Sequence, residues 1–306
     1  MAVKLLNVIF FGKLINKKSR DDCCNTLLVS AVYNMYDPYV LEMNQMDMIN
    51  SEKTSAMSAD LNGKDNIPDE NLPGGLKQKL VPKHIAMIVD GNRRWAVQKG
   101  LSGMFGHNAG RMILMPLLRL CSKLEIKVVS FFVFSTENWR RPTEEVNFLM
   151  KVVEDLLRID GEVLNSHGCR VSVMGDKSKL SETLQKLSTE IEEKSRTNSG
   201  THIIFAINYS GKHDIIKACK NLANQVKDGV ILPNQINENI FAQQLYTNYI
   251  DFPCPDLVIR TSGEIRISNF MLWQMAYSKL YFTKKYFPDF GEDDLIEALR
   301  AFQRTQ

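Results

Sequence analysis

Three short clusters of basic, hydroxyl and carboxylate residues are the parts of this sequence best equipped for chemistry. The first is Asp90-Gly91-Asn92-Arg93-Arg94-Trp95. A glycine turn entering a helix leaves backbone N–H groups unpaired, which suits a diphosphate. Arg93 and Arg94 can add charge-assisted hydrogen bonds to phosphate oxygens. Asp90 stands where a magnesium ion bridging phosphates would need a carboxylate. A plain hairpin turn is the alternative, since Asp-Gly is common in hairpins; two arginines and Trp95 entering a helix weigh against it. The second cluster runs from Ser135 through Thr136, Glu137, Asn138, Trp139 and Arg140 to Arg141 and Pro142. Thr143, Glu144 and Glu145 read as the opening of the next helix, which leaves Asn138 and Arg141 unexplained. The third is Arg260-Thr261-Ser262-Gly263-Glu264-Ile265-Arg266-Ile267-Ser268-Asn269. Arg260 and Arg266 with Ser268 suit a second phosphate pocket, the alternative being a salt-bridged surface loop. His107 is a weaker candidate, because a lone histidine is more often structural. Trp95, Trp139 and Trp273 read chiefly as packing residues. No Walker-type Gly-Lys-Thr is present. Two basic, hydroxyl-rich pockets with a carboxylate between them therefore point to two diphosphates rather than one nucleotide.

The elements that must position these clusters are legible from periodicity. Apolar, β-rich runs occur at His84–Val89, Lys127–Phe134, Arg170–Met174, His202–Ile207, Asp256–Ile259 and Leu280–Phe282. Amphipathic stretches lie between them, such as Glu144–Ile159, where Val146, Leu149, Val152, Val153, Leu156 and Leu157 recur at helical spacing. Alternation of nearly all-apolar strands with helices predicts an α/β domain with a mainly parallel sheet of about six strands, covered on both faces. Ligands of such sheets bind beyond the carboxyl ends of the strands, and the three clusters follow three of these runs.

Composition sets the outer bounds. The 306 residues carry a formal charge of +3, with 44% hydrophobic and 24% charged side chains, ordinary for a globular protein and too weakly basic to imply nucleic acid. The six cysteines show no metal-ligand spacing and read as reduced thiols. No apolar run reaches the roughly 20 residues that cross a bilayer, so a soluble protein without a transmembrane segment is expected. Residues 1–20 carry five basic residues and no acidic one. This start reads as an organelle transit peptide, the alternative being a merely disordered tail, within an N-terminal region expected to be disordered over residues 1–75 that ends at Pro73-Gly74-Gly75. The catalytic domain is expected over 76–306.

From about Leu80 to Phe302 the sequence resembles the cis-prenyltransferase (undecaprenyl diphosphate synthase-like) family. The residues that carry the resemblance are His84–Ala96, Phe134–Trp139, Asp256–Glu264, Arg266–Phe270 and Leu272–Gln274. The Arg93-Arg94 form of the first motif is similar to that of plant plastidial members, which agrees with the basic N-terminus. The resemblance implies that Asp90 helps ionise an allylic diphosphate with Mg2+. It implies that Gly91, Asn92, Arg93, Arg94 and Trp95 hold that substrate, with Ser135 and His107 nearby. Asn138 and Arg141 would assist condensation and proton removal, and Arg260, Arg266 and Ser268 would grip the second diphosphate. A homodimer is implied, and a chloroplast location.

Three departures from the family pattern stand out. Lys279 replaces the glutamate before the last strand, Gly103 replaces an arginine before His107, and the chain ends without an Arg-x-Gly tail. Lys279 is accordingly expected to neutralise the second diphosphate directly. The resemblance also implies an apolar tunnel for the prenyl chain. Val133, with Met112, Met115 and Phe148 as further bulk, would shorten it to a C10 to C15 product. The favoured reading is a short-chain enzyme that joins two dimethylallyl diphosphates into an irregular, branched C10 product. A regular short-chain synthase using isopentenyl diphosphate is the alternative. From another class, the rival is a non-catalytic accessory subunit of a long-chain synthase; such subunits lose the Asp-Gly-Asn signature that this sequence keeps. A generic nucleotide-binding module is the third option.

Overall fold

The computed structural model describes residues 72–305, and the expected leader lies outside them apart from its last four residues. Those four already belong to the folded unit: Leu72 is buried, and Arg300 Nε donates to Gly74 O at 2.8 Å. Six strands form one sheet: β1 (His84–Ile88), β2 (Val128–Ser135), β3 (Arg170–Met174), β4 (His202–Tyr209), β5 (Leu257–Arg260) and β6 (Lys279–Phe282). Their order is β3-β4-β2-β1-β5-β6, and every pairing is parallel. All five residues of β1 and all eight of β4 are buried, as continuous apolar runs require when both faces are covered.

Seven α-helical segments are described: α1 (Asn92–Gln98), α2 (Gly103–Lys123), α3 (Thr143–Asp155), α4 (Gly161–Ser166), α5 (Glu182–Ser195), α6 (Gly211–Lys227) and α7 (Glu238–Ala242). An eighth, α8 (Glu292–Gln303), closes the chain. A π-turn over Leu156–Asp160 joins α3 to α4. Alternate strand residues face two cores. Ile85, Met87, Val129 and Phe131 pack with apolar residues of α2, α3, α5 and α8. Ala86, Ile88 and Val258 face Ile250, Phe270, Met271 and Met275 on the other side.

The strand order reverses between β1 and β5. The chain leaves β1 towards β2, β4 and β3, then returns to pair β5 against the opposite edge of β1. In open parallel sheets a crevice forms beyond the carboxyl ends at such a switch. Here the register Ile88↔Arg260 brings the Asp90 cluster and the Arg260 cluster to that one crevice. The second cluster joins them because β2 pairs with the other edge of β1. Between Phe132 and Phe134 the β2–β4 register shifts, leaving Val133 as an extra residue. A bulge of this kind re-aims side chains at the end of a strand.

Helix α1 lies hard against α2. A Cβ at Gly106 would fall 1.9 Å from Asn92 O, so no side chain fits there unless the helices part. Gly106→Ala is expected to lower the unfolding free energy by about 1–3 kcal/mol, the usual cost of overpacking, read from the urea midpoint. An unchanged midpoint would show that the two helices can separate freely.

Candidate active site

The carboxylate of Asp90, two residues past the end of β1, is where two arginines converge. Arg260 Nη2 donates to Asp90 Oδ2 at 2.8 Å, and Arg94 Nη2 reaches Oδ1 at 3.3 Å. Thr261 fixes the backbone there: its hydroxyl donates to Asp90 O at 2.7 Å and accepts from Asp90 N at 2.9 Å. Gly91 follows with φ +100°, and a Cβ on it would meet Tyr286 Cδ1 at 2.5 Å. The turn therefore needs glycine for its conformation and for its closeness to Tyr286. Burial pushes the Asp90 carboxyl up, but hydrogen bonds from Arg260 and Ser262, with the charges of Arg260 and Arg94, hold it below its ordinary value.

The three sequence clusters meet, and three glutamates cross-link them. Glu264 accepts from Arg94 at 3.1 Å and also pairs with Arg266, which ties the first cluster to the third. Glu137 accepts from Asn269 Nδ2 at 2.7 Å, which ties the second to the third. Glu145 accepts from Arg141 at 2.9 Å and from Arg93 at 3.5 Å, which ties the second to the first. Glu145 was expected merely to open a helix. In the structure Pro142 precedes α3 with no side-chain cap, and Glu145 faces the site. Arg260, only 5% exposed, is held further by Nη1 contacts of 2.5 Å to Arg266 O and Ser268 Oγ.

A cavity of about 840 Å³ opens at this point. Its lining carries six arginines (Arg93, Arg94, Arg111, Arg141, Arg260 and Arg266) against Asp90, Glu137 and Glu145. That excess suits a polyanionic headgroup. Its deeper walls are apolar, with Leu114, Phe131, Val133, Leu149, Val153 and Leu156. Of the seven buried side-chain polar atoms without a partner among the described residues, four belong to residues lining this cavity: Asn92 Oδ1, His107 Nε2, Arg111 Nε and Arg260 Nε. Buried polar atoms are normally satisfied, and their clustering marks a place built for a polar guest.

Gly91, Asn92, Arg93, Arg94, His107, Ser135, Asn138, Arg141, Arg260, Arg266 and Ser268 all line the cavity. Asn138 Oδ1 accepts from Ser135 N at 2.9 Å and so shapes the turn after β2. Trp95 does not line it: the ring stacks on Phe105 and its Nε1 donates to Asp289 at 2.7 Å.

Lys279 also lies elsewhere. It pairs with Leu257 at the start of β6, three residues before the level of Arg260, and its Nζ donates to Thr305 O at 2.7 Å. This ammonium caps the end of α8, a placement favoured by the helix dipole. Val133 lines the cavity, whereas Met112, Met115 and Phe148 do not. Met112 is exposed, and Met115 packs against the core on another side. Arg111, Leu114 and Leu149, each one residue away, line the wall instead. Arg111 had a sequence signal that went unused, since it follows His107 by four residues on one helical face.

For a magnesium ion, the described residues hold no group of three or more His, Cys, Asp or Glu side chains. Asp90 could still supply one oxygen, with diphosphate and water completing the shell. That is how Mg2+ is commonly bound beside phosphates.

Comparison with known proteins gives a consistent picture. The family described as "Putative undecaprenyl diphosphate synthase" matches residues 88–306. A chloroplastic cis-prenyltransferase 4 from Solanum lycopersicum is 47% identical over 236 residues, covering 77% of each chain. A chloroplastic (2Z,6Z)-farnesyl diphosphate synthase from the same species is 49% identical over 226 residues, covering 74% of this chain and 78% of that one. The solved structure of lavandulyl diphosphate synthase from Lavandula x intermedia, in complex with dimethylallyl diphosphate, superposes with a TM-score of 0.72 at 41% identity. It covers 74% of this chain and 96% of that one.

The site and its sheet carry an acid sensitivity. Burial lowers His84 to about 3, His107 to about 4 and His202 to about 4, from an ordinary 6.5. For His107 the nearby Arg141 charge adds to the effect. The folded state keeps these rings neutral where the unfolded chain already takes up protons, so their stabilising contribution is whole above pH 6.5 and is lost as pH falls towards 4. Between pH 6.5 and 5, before most carboxylates titrate, stability should fall by up to about 1.4 kcal/mol per pH unit for each histidine. Urea titrations across that interval test it, and a flat profile would contradict the neutral rings.

Proposed function

Because this chain belongs to the cis-prenyltransferase family, a family of prenyl-transferring enzymes, we propose that it is a short-chain synthase condensing dimethylallyl diphosphate with a second C5 diphosphate. The observation that carries this reading is Asp90 held between Arg94 and Arg260 at the mouth of an apolar-walled cavity. A cationic rim and a hydrocarbon interior match the two ends of a prenyl diphosphate.

In this reading the allylic headgroup rests on Gly91, Asn92, Arg93 and Arg94, with its tail directed between α2 and α3. The C1–O bond breaks and its electron pair leaves with the diphosphate, whose growing charge Arg93 and Arg94 neutralise. The second headgroup is held by Arg260, Arg266 and Ser268. The acceptor's double bond attacks C1, a new C–C bond forms, and a proton leaves the acceptor carbon for the released diphosphate or water. Mg2+, held by Asp90 together with diphosphate oxygens, would stabilise the leaving group as a Lewis acid. His107, kept neutral by burial, and Asn138 supply polar contacts without adding charge near the carbocation.

The placement of Lys279 bears on the acceptor. With that ammonium at the far end of β6, the second headgroup meets an ordinary set of two arginines and a serine. Isopentenyl diphosphate is therefore the acceptor we favour, giving a neryl or Z,Z-farnesyl product. The irregular reading, two dimethylallyl diphosphates giving lavandulyl diphosphate, keeps the likeness to lavandulyl diphosphate synthase as its support. A plastid location follows by analogy with the chloroplastic relatives. Self-association along β6, an edge strand with Leu280 and the adjoining Tyr277 exposed, completes the proposal.

Purified protein supplied with dimethylallyl diphosphate, with and without isopentenyl diphosphate, followed by phosphatase treatment and identification of the alcohols, separates the readings. Linear C10 or C15 alcohols only when both substrates are present are expected. A branched C10 alcohol from dimethylallyl diphosphate alone would establish the irregular reaction instead, and no product under either condition would refute prenyl transfer. Asp90→Asn should lower kcat by about 10²–10³-fold, the size of one lost electrostatic contact to the transition state. EDTA should abolish turnover and added Mg2+ restore it.

A further inference from the structure

Asn208 is buried, polar and absent from the reaction proposed above. It is the second-last residue of β4, 1% exposed, with a left-handed backbone at φ +50°. The β2–β4 register shifts a second time between Phe134 and Ser135, which pair with Ile207 and Tyr209 and leave Asn208 as the extra residue on β4. A bulge of this kind re-aims a side chain. Asparagine tolerates the left-handed region better than most residues, and here both ends of its amide are used. Nδ2 donates to Asp176 O at 2.7 Å, and Oδ1 accepts from Trp139 Nε1 at 2.8 Å. The anchor on the Asp176 side is firm. Asp176 N donates to Asn208 O at 3.2 Å, and a Cβ on the preceding Gly175 would fall 2.0 Å from Ile207 O.

Trp139 is the other end of this clasp. It belongs to the 3-10 turn Thr136–Arg140 and does not line the cavity, whereas Asn138 before it and Arg141 just after the turn do. Its ring meets Phe134 edge-on, with centroids 5.1 Å apart. A ring contact on one side and a hydrogen bond at the indole nitrogen fix both the place and the rotation of the indole. The backbone that carries Asn138 is fixed with it. We propose that Asn208 is a positioning residue for prenyl transfer, acting through Trp139 to hold the turn that bears Asn138 and leads to Arg141. This inference rests on the prenyl-transfer reading above. The contacts proposed for the allylic headgroup, Gly91 to Arg94, lie on a different loop. Loss of the clasp should therefore act on turnover and not on the binding of dimethylallyl diphosphate. A misplacement of about 1 Å can cost about 10²-fold in rate.

Three variants of the full chain test this. Asn208→Gly removes the amide and keeps the left-handed backbone accessible. Trp139→Phe keeps a ring beside Phe134 and removes the indole N–H. Each should lower kcat by about 10–10²-fold, with KM for dimethylallyl diphosphate within about twofold of the wild type. The double variant should match the slower single variant to within about twofold, because both substitutions break one bond. Unaltered kcat in Asn208→Gly, a change confined to KM, or effects that multiply in the double variant would overturn the proposal. A readout free of turnover comes from 5-fluorotryptophan. The three tryptophans give three fluorine resonances, and Trp139→Phe assigns one of them. Asn208→Gly should move that resonance and leave the other two in place; a stationary Trp139 resonance would refute the positioning. If Asn208→Gly does not fold, Trp139→Phe decides on the same kinetic criteria. If the wild type transfers no prenyl group, the reaction is wrong, and the fluorine shift alone decides whether Asn208 positions the turn.

Discussion

The site depends on one carboxylate shared by two guanidinium groups at the tips of neighbouring strands. Asp90 and Arg260 can meet because β1 and β5 run parallel and in register, with Ile88 opposite Arg260. In an antiparallel pair the end of one strand lies beside the start of the other, and the two residues would be a strand's length apart. Removing Asp90 would leave the charge of Arg260, almost wholly withdrawn from water, without its carboxylate, at a cost of up to about 3–5 kcal/mol. The pair therefore holds the loops that follow β1 and β5 together. The three glutamates bridging the clusters extend this arrangement. A cationic pocket left to itself would splay by mutual repulsion; Glu145 and Glu264 each pin arginines of two clusters, and Glu137 ties the second cluster to the third through Asn269. Such preorganisation lets the positive charge act on a leaving group without reorganising first.

Much of this was legible in the sequence, for a definite reason. Strands buried on both faces are continuous apolar runs, which is how the inner strands could be found; the partly exposed edge strand β6 was found from its short Leu280–Phe282 run, and all six have their ends placed within about two residues. The chemistry then had to lie just beyond three of those ends. What escaped detection follows from geometry that periodicity does not encode. Lys279 was read as a phosphate contact from its neighbourhood in the motif, but it begins its strand, while the site lies where the strands finish. Met112, Met115 and Phe148 each miss the tunnel wall by one residue, and one residue is a rotation of about 100° around a helix. An apolar residue beside Arg111, Leu114 or Leu149 reads as equally suitable until the helix is docked and its phase is fixed. Glu145 was masked by a local role, since acidic residues near a helix start already have an explanation in the dipole.

Helix α2 runs along both polar and apolar parts of the cavity lining. Gly106 and Gly110 stand four residues apart on one face, and both meet Asn92: an added Cβ would lie 1.9 Å from Asn92 O at the first and 2.5 Å from Asn92 Oδ1 at the second. With no side chains there, the start of α1, which follows the Asp90 turn, is seated directly on α2. His107, between those glycines, lines the cavity, as do Arg111 and Leu114 further along the helix; in the reading proposed above, this helix would run beside both headgroup and tail. One rigid helix thus carries the seat of the headgroup loop and the wall of the tunnel. The distance from the diphosphate to the far end is then set by helix rise and not by loop conformation. Product length in such an arrangement is a property of the helix phase, and substitutions that turn a different residue into the tunnel should alter length while leaving the polar rim intact.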